Sequence, residues 1–157
     1  MQPLLFGLIV EGQGEVKAAP ALIRRIAEEN KFYSPIKFEV RRISRCQLVK
    51  PRELELAVEA LSRKIGRAQP FLVLVDADKD CPKELSQDFQ ARCHSSHSDL
   101  RISFVLAKME YEAWFLASWN SLSGYRGLAT GIPAPPDPES IQGIRKTNPS
   151  PTNHPIR

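Results

Sequence analysis

Five consecutive apolar residues, Phe71-Leu72-Val73-Leu74-Val75, run straight into Asp76-Ala77-Asp78-Lys79-Asp80. A run that short and that rich in branched side chains predicts a strand buried on both faces, the kind found inside a parallel sheet, rather than a helix. Carboxylates then follow at alternate positions. In open α/β sheets, ligands collect beyond the carboxyl ends of the strands, so Asp76, Asp78 and Asp80 fall where a site is expected. Acids packed this closely repel one another unless a positive charge lies among them, and a divalent cation is the natural candidate.

The rest of the chain supplies the sheet that such a strand needs. Leu4 to Val10 (LLFGLIV) is a second nearly all-apolar run and predicts another central strand, ending in the turn Glu11-Gly12-Gln13-Gly14-Glu15. A helical pattern follows from Val16 to Asn30, with Ala18, Ala19, Leu22 and Ile26 on one face and Arg24, Arg25, Glu28 and Glu29 on the other. Ile36 to Ile43 alternates apolar and polar, as a strand with one wet face does. Pro51 suits the first turn of the next helix, in which Leu54, Val58, Leu61 and Ile65 recur at helical spacing before Gly66. Pro82 opens a helix carrying Leu85 and Phe89, Arg101 to Ala107 reads as a fourth strand, and Glu110 to Trp119 reads as an aromatic-rich helix. Strands that alternate with helices over short loops predict an α/β fold with a four-stranded parallel sheet.

Residues 1–123 are expected to form this domain, and 124–157 a proline-rich tail. Seven of the 13 prolines lie between Pro133 and Pro155, and no apolar period survives there, so a poorly ordered segment is expected. The closing run IQGIRKTNPSPTNHPIR reads as a truncated or frame-shifted end.

At 157 residues, 42% hydrophobic and 25% charged, the chain has the length and composition of one soluble domain. No apolar run approaches a membrane span, and the first residues lack a basic region and a cleavage site, so neither a membrane segment nor a signal peptide is expected. Three cysteines, Cys46, Cys81 and Cys93, fit reduced thiols in a cytoplasmic setting better than a disulfide framework. A net charge of +4 permits a polyanionic partner without requiring one.

In a parallel sheet the strand ends share one edge, and neighbouring strands lie about 4.8 Å apart. If the first and third strands are neighbours, Glu11, Asp76 and Asp78 converge within reach of one or two metal ions. Glu15 either joins them or caps the helix that it opens. Hard oxygen donors suit Mg2+ or Mn2+, and two such ions about 4 Å apart support in-line attack on a phosphodiester. Asp76 and Asp78 are assigned to the metal, Glu11 to metal or proton transfer, and Gly12 and Gly14 to close approach of a phosphate. Lys108, beyond the fourth strand, either stabilises phosphoryl charge or forms a structural ion pair. Arg41, Arg42, Arg45, Lys50 and Arg52 are either phosphate contacts or a solvated basic face.

Three other readings fail on spacing. An EF-hand loop counted from Asp76 needs Gly and Glu where Cys81 and Gln87 stand. A dinucleotide fingerprint counted from Gly12 needs a glycine where Lys17 stands. Cys81, Cys93, His94 and His97 match no standard zinc spacing. Trp114, Phe115 and Trp119 read as core or interface.

A strand ending in Glu-Gly and a later strand ending in Asp-x-Asp, with β-α alternation between them, resemble a Toprim domain. That is the metal-binding fold of topoisomerases, bacterial primases, small ribonucleases and the overcoming-lysogenization-defect nucleases. The form IVEGQGE, with its second acid at Glu15, is closer to the nuclease branch. More narrowly, VEGQGEVKAAPALIRRI, LVLVDADKDCP and AKMEYEAWFLAS together resemble the Toprim-like family DUF4276, over about Leu4 to Ser118. The resemblance implies a Mg2+- or Mn2+-dependent nuclease-type site on Glu11, Glu15, Asp76, Asp78 and Asp80. Glu112, in the segment matching the family's Glu-x-Trp pattern, is a further acid or a helix anchor. It also implies an ATPase partner of the AAA or ABC type and a role in anti-phage defence. No catalytic tyrosine motif or companion domain accompanies the match, which weighs against topoisomerase and primase.

The expected function is therefore metal-dependent cleavage of DNA or RNA. The alternatives are a non-catalytic Toprim-like binding subunit, a truncated remnant, or a small-molecule phosphotransfer enzyme on the same acids.

Overall fold

Strands β1 (Leu4–Val10), β2 (Ile36–Arg42), β3 (Pro70–Asp76) and β4 (Arg101–Ala107) form one all-parallel sheet in the order β2-β1-β3-β4. The structure is a computed structural model that describes residues 2–122, 124, 130–131 and 133–141. Two compact units divide at Lys108 and Met109. The first holds the sheet with α1 (Glu15–Glu29), α2 (Arg45–Leu48), α3 (Glu53–Ile65) and α4 (Pro82–Ser96). The second contains α5 (Glu112–Ala117), α6 (Trp119–Leu122) and a 3-10 turn at Pro138–Ser140. Most of the tail expected over 124–157, including 142–157, lies outside the described residues.

Apolar continuity separates the central strands from the edges. In β1 and β3 the last residues are buried without interruption, as expected where both faces are covered. The edge strand β4 instead alternates, with Arg101, Ser103 and Val105 exposed. Ile9, Phe71, Val73 and Val75 meet Leu54, Val58 and Leu61 of α3 and Phe89 of α4 in one core cluster. Each such side chain contributes about 1.5–3 kcal/mol when fully buried. The alternate residues Leu8, Val10 and Leu74 turn to the opposite face and are also buried.

Gly7 lets this core close. A Cβ at that position would lie 2.5 Å from Cδ1 of Phe71 and 3.0 Å from Cδ1 of Ile65. Phe71 is itself only 3% exposed and has no open space into which to swing. Gly7→Ala is expected to destabilise the protein by about 2 kcal/mol through overpacking, read as a lower urea midpoint with an unchanged slope.

Two helical expectations change. Ile26 is 48% exposed, and the buried positions of α1 are Glu15, Ala19 and Pro20, so full burial is confined to the first half of the helix. The helix expected over Glu110 to Trp119 is two short helices broken at Ser118, whose carbonyl accepts from Ser121 and Leu122. Serine competes for local hydrogen bonds and favours helix ends.

Arg92 ties α4 to the two preceding helices. Its guanidinium donates to both carboxylate oxygens of Glu55 at 2.9 Å, to the Leu48 carbonyl at 3.1 Å and to the Lys50 carbonyl at 2.9 Å. Burial pushes the nearby Cys93 thiol up to about 12, with the Glu55 charge adding to the shift, so this cysteine stays protonated at neutral pH. His97 donates its Nε2–H to the Glu55 carbonyl at 3.1 Å, and its Nδ1 lies 3.6 Å from Glu59, as part of the same α3–α4 contact.

Candidate metal centre

The sheet order places β1 beside β3, with Val10 opposite Leu74, so Glu11 and Asp76 leave neighbouring strands at the same edge. On its other side Val10 pairs with Arg42, and the Ile43 N–H donates to its carbonyl at 2.9 Å. On β3, Asp76 pairs with Ala107, and the next amide, Ala77 N–H, donates to the Ala107 carbonyl at 2.8 Å. Backbone pairing therefore fixes where these acids begin.

Glu15 is the first residue of α1 and only 2% exposed. Its carboxylate accepts the Gly12 N–H and so folds back over the turn that precedes the helix. Asp76 is 7% exposed, and carboxylate oxygens of Glu15 and Asp76 lie within 4.8 Å of each other. Of the two alternatives left by the sequence, Glu15 joins the acidic group, and among the described residues no side chain caps the first turn of α1.

Glu11 is half-buried, and its Oε2 is buried without a hydrogen-bond partner. Burial raises its pKa above the usual carboxylate range, and the charges of Asp78 and Glu15 add to the effect. Backbone N–H groups of Arg45 and Asp76 act in the opposite direction. A hard dication fits this set: its donors are all carboxylate oxygens, and one of them is buried with no other partner.

Because the pKa of Glu11 is raised on folding, the folded state binds its proton more readily than the unfolded chain. Stability from this group is therefore present at low pH and is lost as pH rises through the interval up to the raised value. Glu11→Gln is expected to raise the melting temperature of the metal-free protein at pH 7.5 by a few degrees. That advantage should shrink as pH is lowered through the interval in which wild-type Glu11 takes up its proton. Parallel thermal melts in chelator check it, and an advantage independent of pH would refute it.

The remaining residues named from sequence are distributed unevenly. Asp78 is exposed and adopts a left-handed backbone with φ of 50°. Its carboxylate lies 3.6 Å from Nη1 of Arg45, and Nη2 of Arg45 donates to Asp80. Arg41 and Arg42, at the end of β2, are exposed. Gly12 is buried, whereas Gly14 is exposed in an ordinary helical conformation with nothing near where a Cβ would sit. Lys108 is exposed, one residue past the partner of Asp76. Glu112 occupies the first turn of α5 in the second unit.

The pairing of Arg45 with Asp78 and Asp80 is absent from the sequence reading, which grouped Arg45 with a uniform basic run. Recognising it requires knowing that β2 is the outer neighbour of β1, so that α2 starts at the acidic edge. No local pattern carries that information.

A parallel sheet with buried carboxylates gathered at its carboxyl edge defines an α/β domain equipped to take a metal ion. Within that class, the profile described as "Domain of unknown function (DUF4276)" matches residues 10–154, and the chain belongs to this family. The match includes the Glu11–Glu15 turn, the Asp76–Asp80 segment, Glu112 and the proline-rich stretch. No curated protein and no solved structure matches the chain. Among the described residues, no helix is long and apolar enough to cross a membrane.

Proposed function

We propose that this chain is a Toprim-like, Mg2+- or Mn2+-dependent phosphodiesterase that cleaves DNA or RNA. The observation that carries the proposal is the convergence of two buried carboxylates, Glu15 and Asp76, from separate elements at the carboxyl edge. Burying like charges this close is unfavourable unless a cation joins them. When bound, the metal ion supplies Lewis-acid stabilisation of phosphoryl charge and a water of lowered pKa.

The protein residues divide the remaining work. Glu15 and Asp76 hold the ion, and Glu112, the acid added by the family resemblance, is a candidate further ligand. Glu11, whose burial raises its pKa, is the base that takes a proton from an attacking water. Lys108 stands at the same edge to stabilise charge developing on the phosphate. The exposed Arg41 and Arg42 at the end of β2 draw the polyanion toward that edge. On the family resemblance alone, the proposal extends to a cytoplasmic toxin or anti-phage defence role beside an ATPase partner.

Single- and double-stranded DNA and RNA are incubated with the purified chain in Mg2+, in Mn2+ and in chelator. Metal-dependent cleavage of at least one substrate is expected. A chain that binds Mn2+ yet cleaves none of them, alone or with its ATPase, would instead be a non-catalytic binding subunit.

A further inference from the structure

The acids at the carboxyl edge do not share the same company. Glu11, Glu15 and Asp76 are half-buried or buried, whereas the side chains of Asp78 and Asp80 are 53% and 56% exposed and face an arginine. We propose that the centre takes a single metal ion and that Arg45 is its second cation. Asp78 and Asp80 then serve to position Arg45 and are not metal ligands. This inference rests on the metal-centre reading above.

Arg45 is built into the edge rather than draped over it. Its side chain is only 15% exposed, and Nε is buried with no acceptor, so the stem is held by packing and only the Nη groups reach the aspartates. Its own backbone N–H acts on the Glu11 carboxylate. Its side chain pairs with Asp78 and Asp80.

A guanidinium cannot be deprotonated in this setting and cannot withdraw from a covered position without leaving its charge unpaired. A metal ion ligated by Asp78 and Asp80 would have to share their oxygens with that fixed charge. Two-metal centres place a second cation about 4 Å from the first to stabilise the opposite side of the phosphoryl group. Arg45 is anchored to supply that charge without an ion.

The full chain is titrated with Mn2+ by calorimetry, and the bound ion is examined by electron paramagnetic resonance. One Mn2+ per chain without spin coupling is expected. The triple variant Arg45→Gln, Asp78→Asn, Asp80→Asn removes the ion-pair set as a unit and leaves no covered charge behind. Asn also tolerates the left-handed conformation at position 78. This variant is expected to bind one Mn2+ within about tenfold of wild type, the effect of its net lost charge.

Two coupled Mn2+ ions in the wild type would overturn the inference while leaving the metal centre standing. So would a loss of affinity beyond about a hundredfold in a triple variant whose circular dichroism is native. A wild-type chain that binds no Mn2+ would instead overturn the metal centre itself, and the inference with it.

Discussion

Asp76→Asn is expected to lower Mn2+ affinity by more than about a hundredfold and to remove metal-dependent cleavage. The metal-free protein should meanwhile keep its melting temperature within a few degrees. The backbone of Asp76 is the last paired residue of β3, matched to Ala107, and an Asn preserves both that pairing and the side-chain volume. What changes is the charge of a carboxylate 7% exposed and within 4.8 Å of Glu15. On the proposed reading, that charge is what a bound metal ion requires. Calorimetry and thermal melts on the same preparations separate the metal-bound and metal-free states. A large drop in the metal-free melting temperature with Mn2+ affinity intact would mark Asp76 as structural.

Arg92→Ala is expected to cost about 3–5 kcal/mol, the typical penalty for stranding one partner of a buried ion pair. The Arg92 and Glu55 side chains are only 17% and 18% exposed. The guanidinium also satisfies two carbonyls, Leu48 and Lys50, just before α3. Its removal leaves Glu55 charged and covered, the Leu48 carbonyl without the Arg92 donor, the Lys50 carbonyl with the Glu53 N–H at 3.4 Å, and the ring of Phe89 without the cation 5.7 Å from its centroid. A fall of about 6–20 °C in melting temperature follows for a chain of this length. The double variant Arg92→Met, Glu55→Leu should recover much of the loss, because no buried charge remains. Failure to recover would show that the carbonyl contacts, not the ion pair, dominate.

Much of the layout is legible in the residues. Leu4–Val10 and Phe71–Val75 read as central strands because continuous apolar runs need cover on both faces. Ile36–Ile43 reads as a strand because its alternation leaves one face wet. Strand order is not written in such patterns, since nothing local in β1 indicates that it lies between β2 and β3. Yet that order sets Glu11 beside the end of β3. The same gap hides Arg45. In the run from Arg41 to Arg52 the basic residues look alike, but Arg41 and Arg42 point to solvent while Arg45 is covered and paired. The difference arises because the chain turns into α2 at the sheet edge. Glu112 is reached through the family pattern rather than through spacing, because it lies in a different compact unit from the other acids.

Because every strand runs the same way, the sheet has one rim for chemistry and one for handling. The connections entering β2, β3 and β4 (residues 30–35, 66–69 and 97–100) all lie at the rim opposite Glu11 and Asp76. Attachment there, for instance through a cysteine placed at the exposed Ser98, would immobilise the protein with its acidic rim facing solution. The native thiols offer the reverse orientation. The two exposed cysteines, Cys46 and Cys81, both follow strand ends on the acidic rim, so ordinary thiol labelling would crowd the candidate site first. A Cys46→Ser, Cys81→Ser background is the appropriate chassis for any dye, tether or surface.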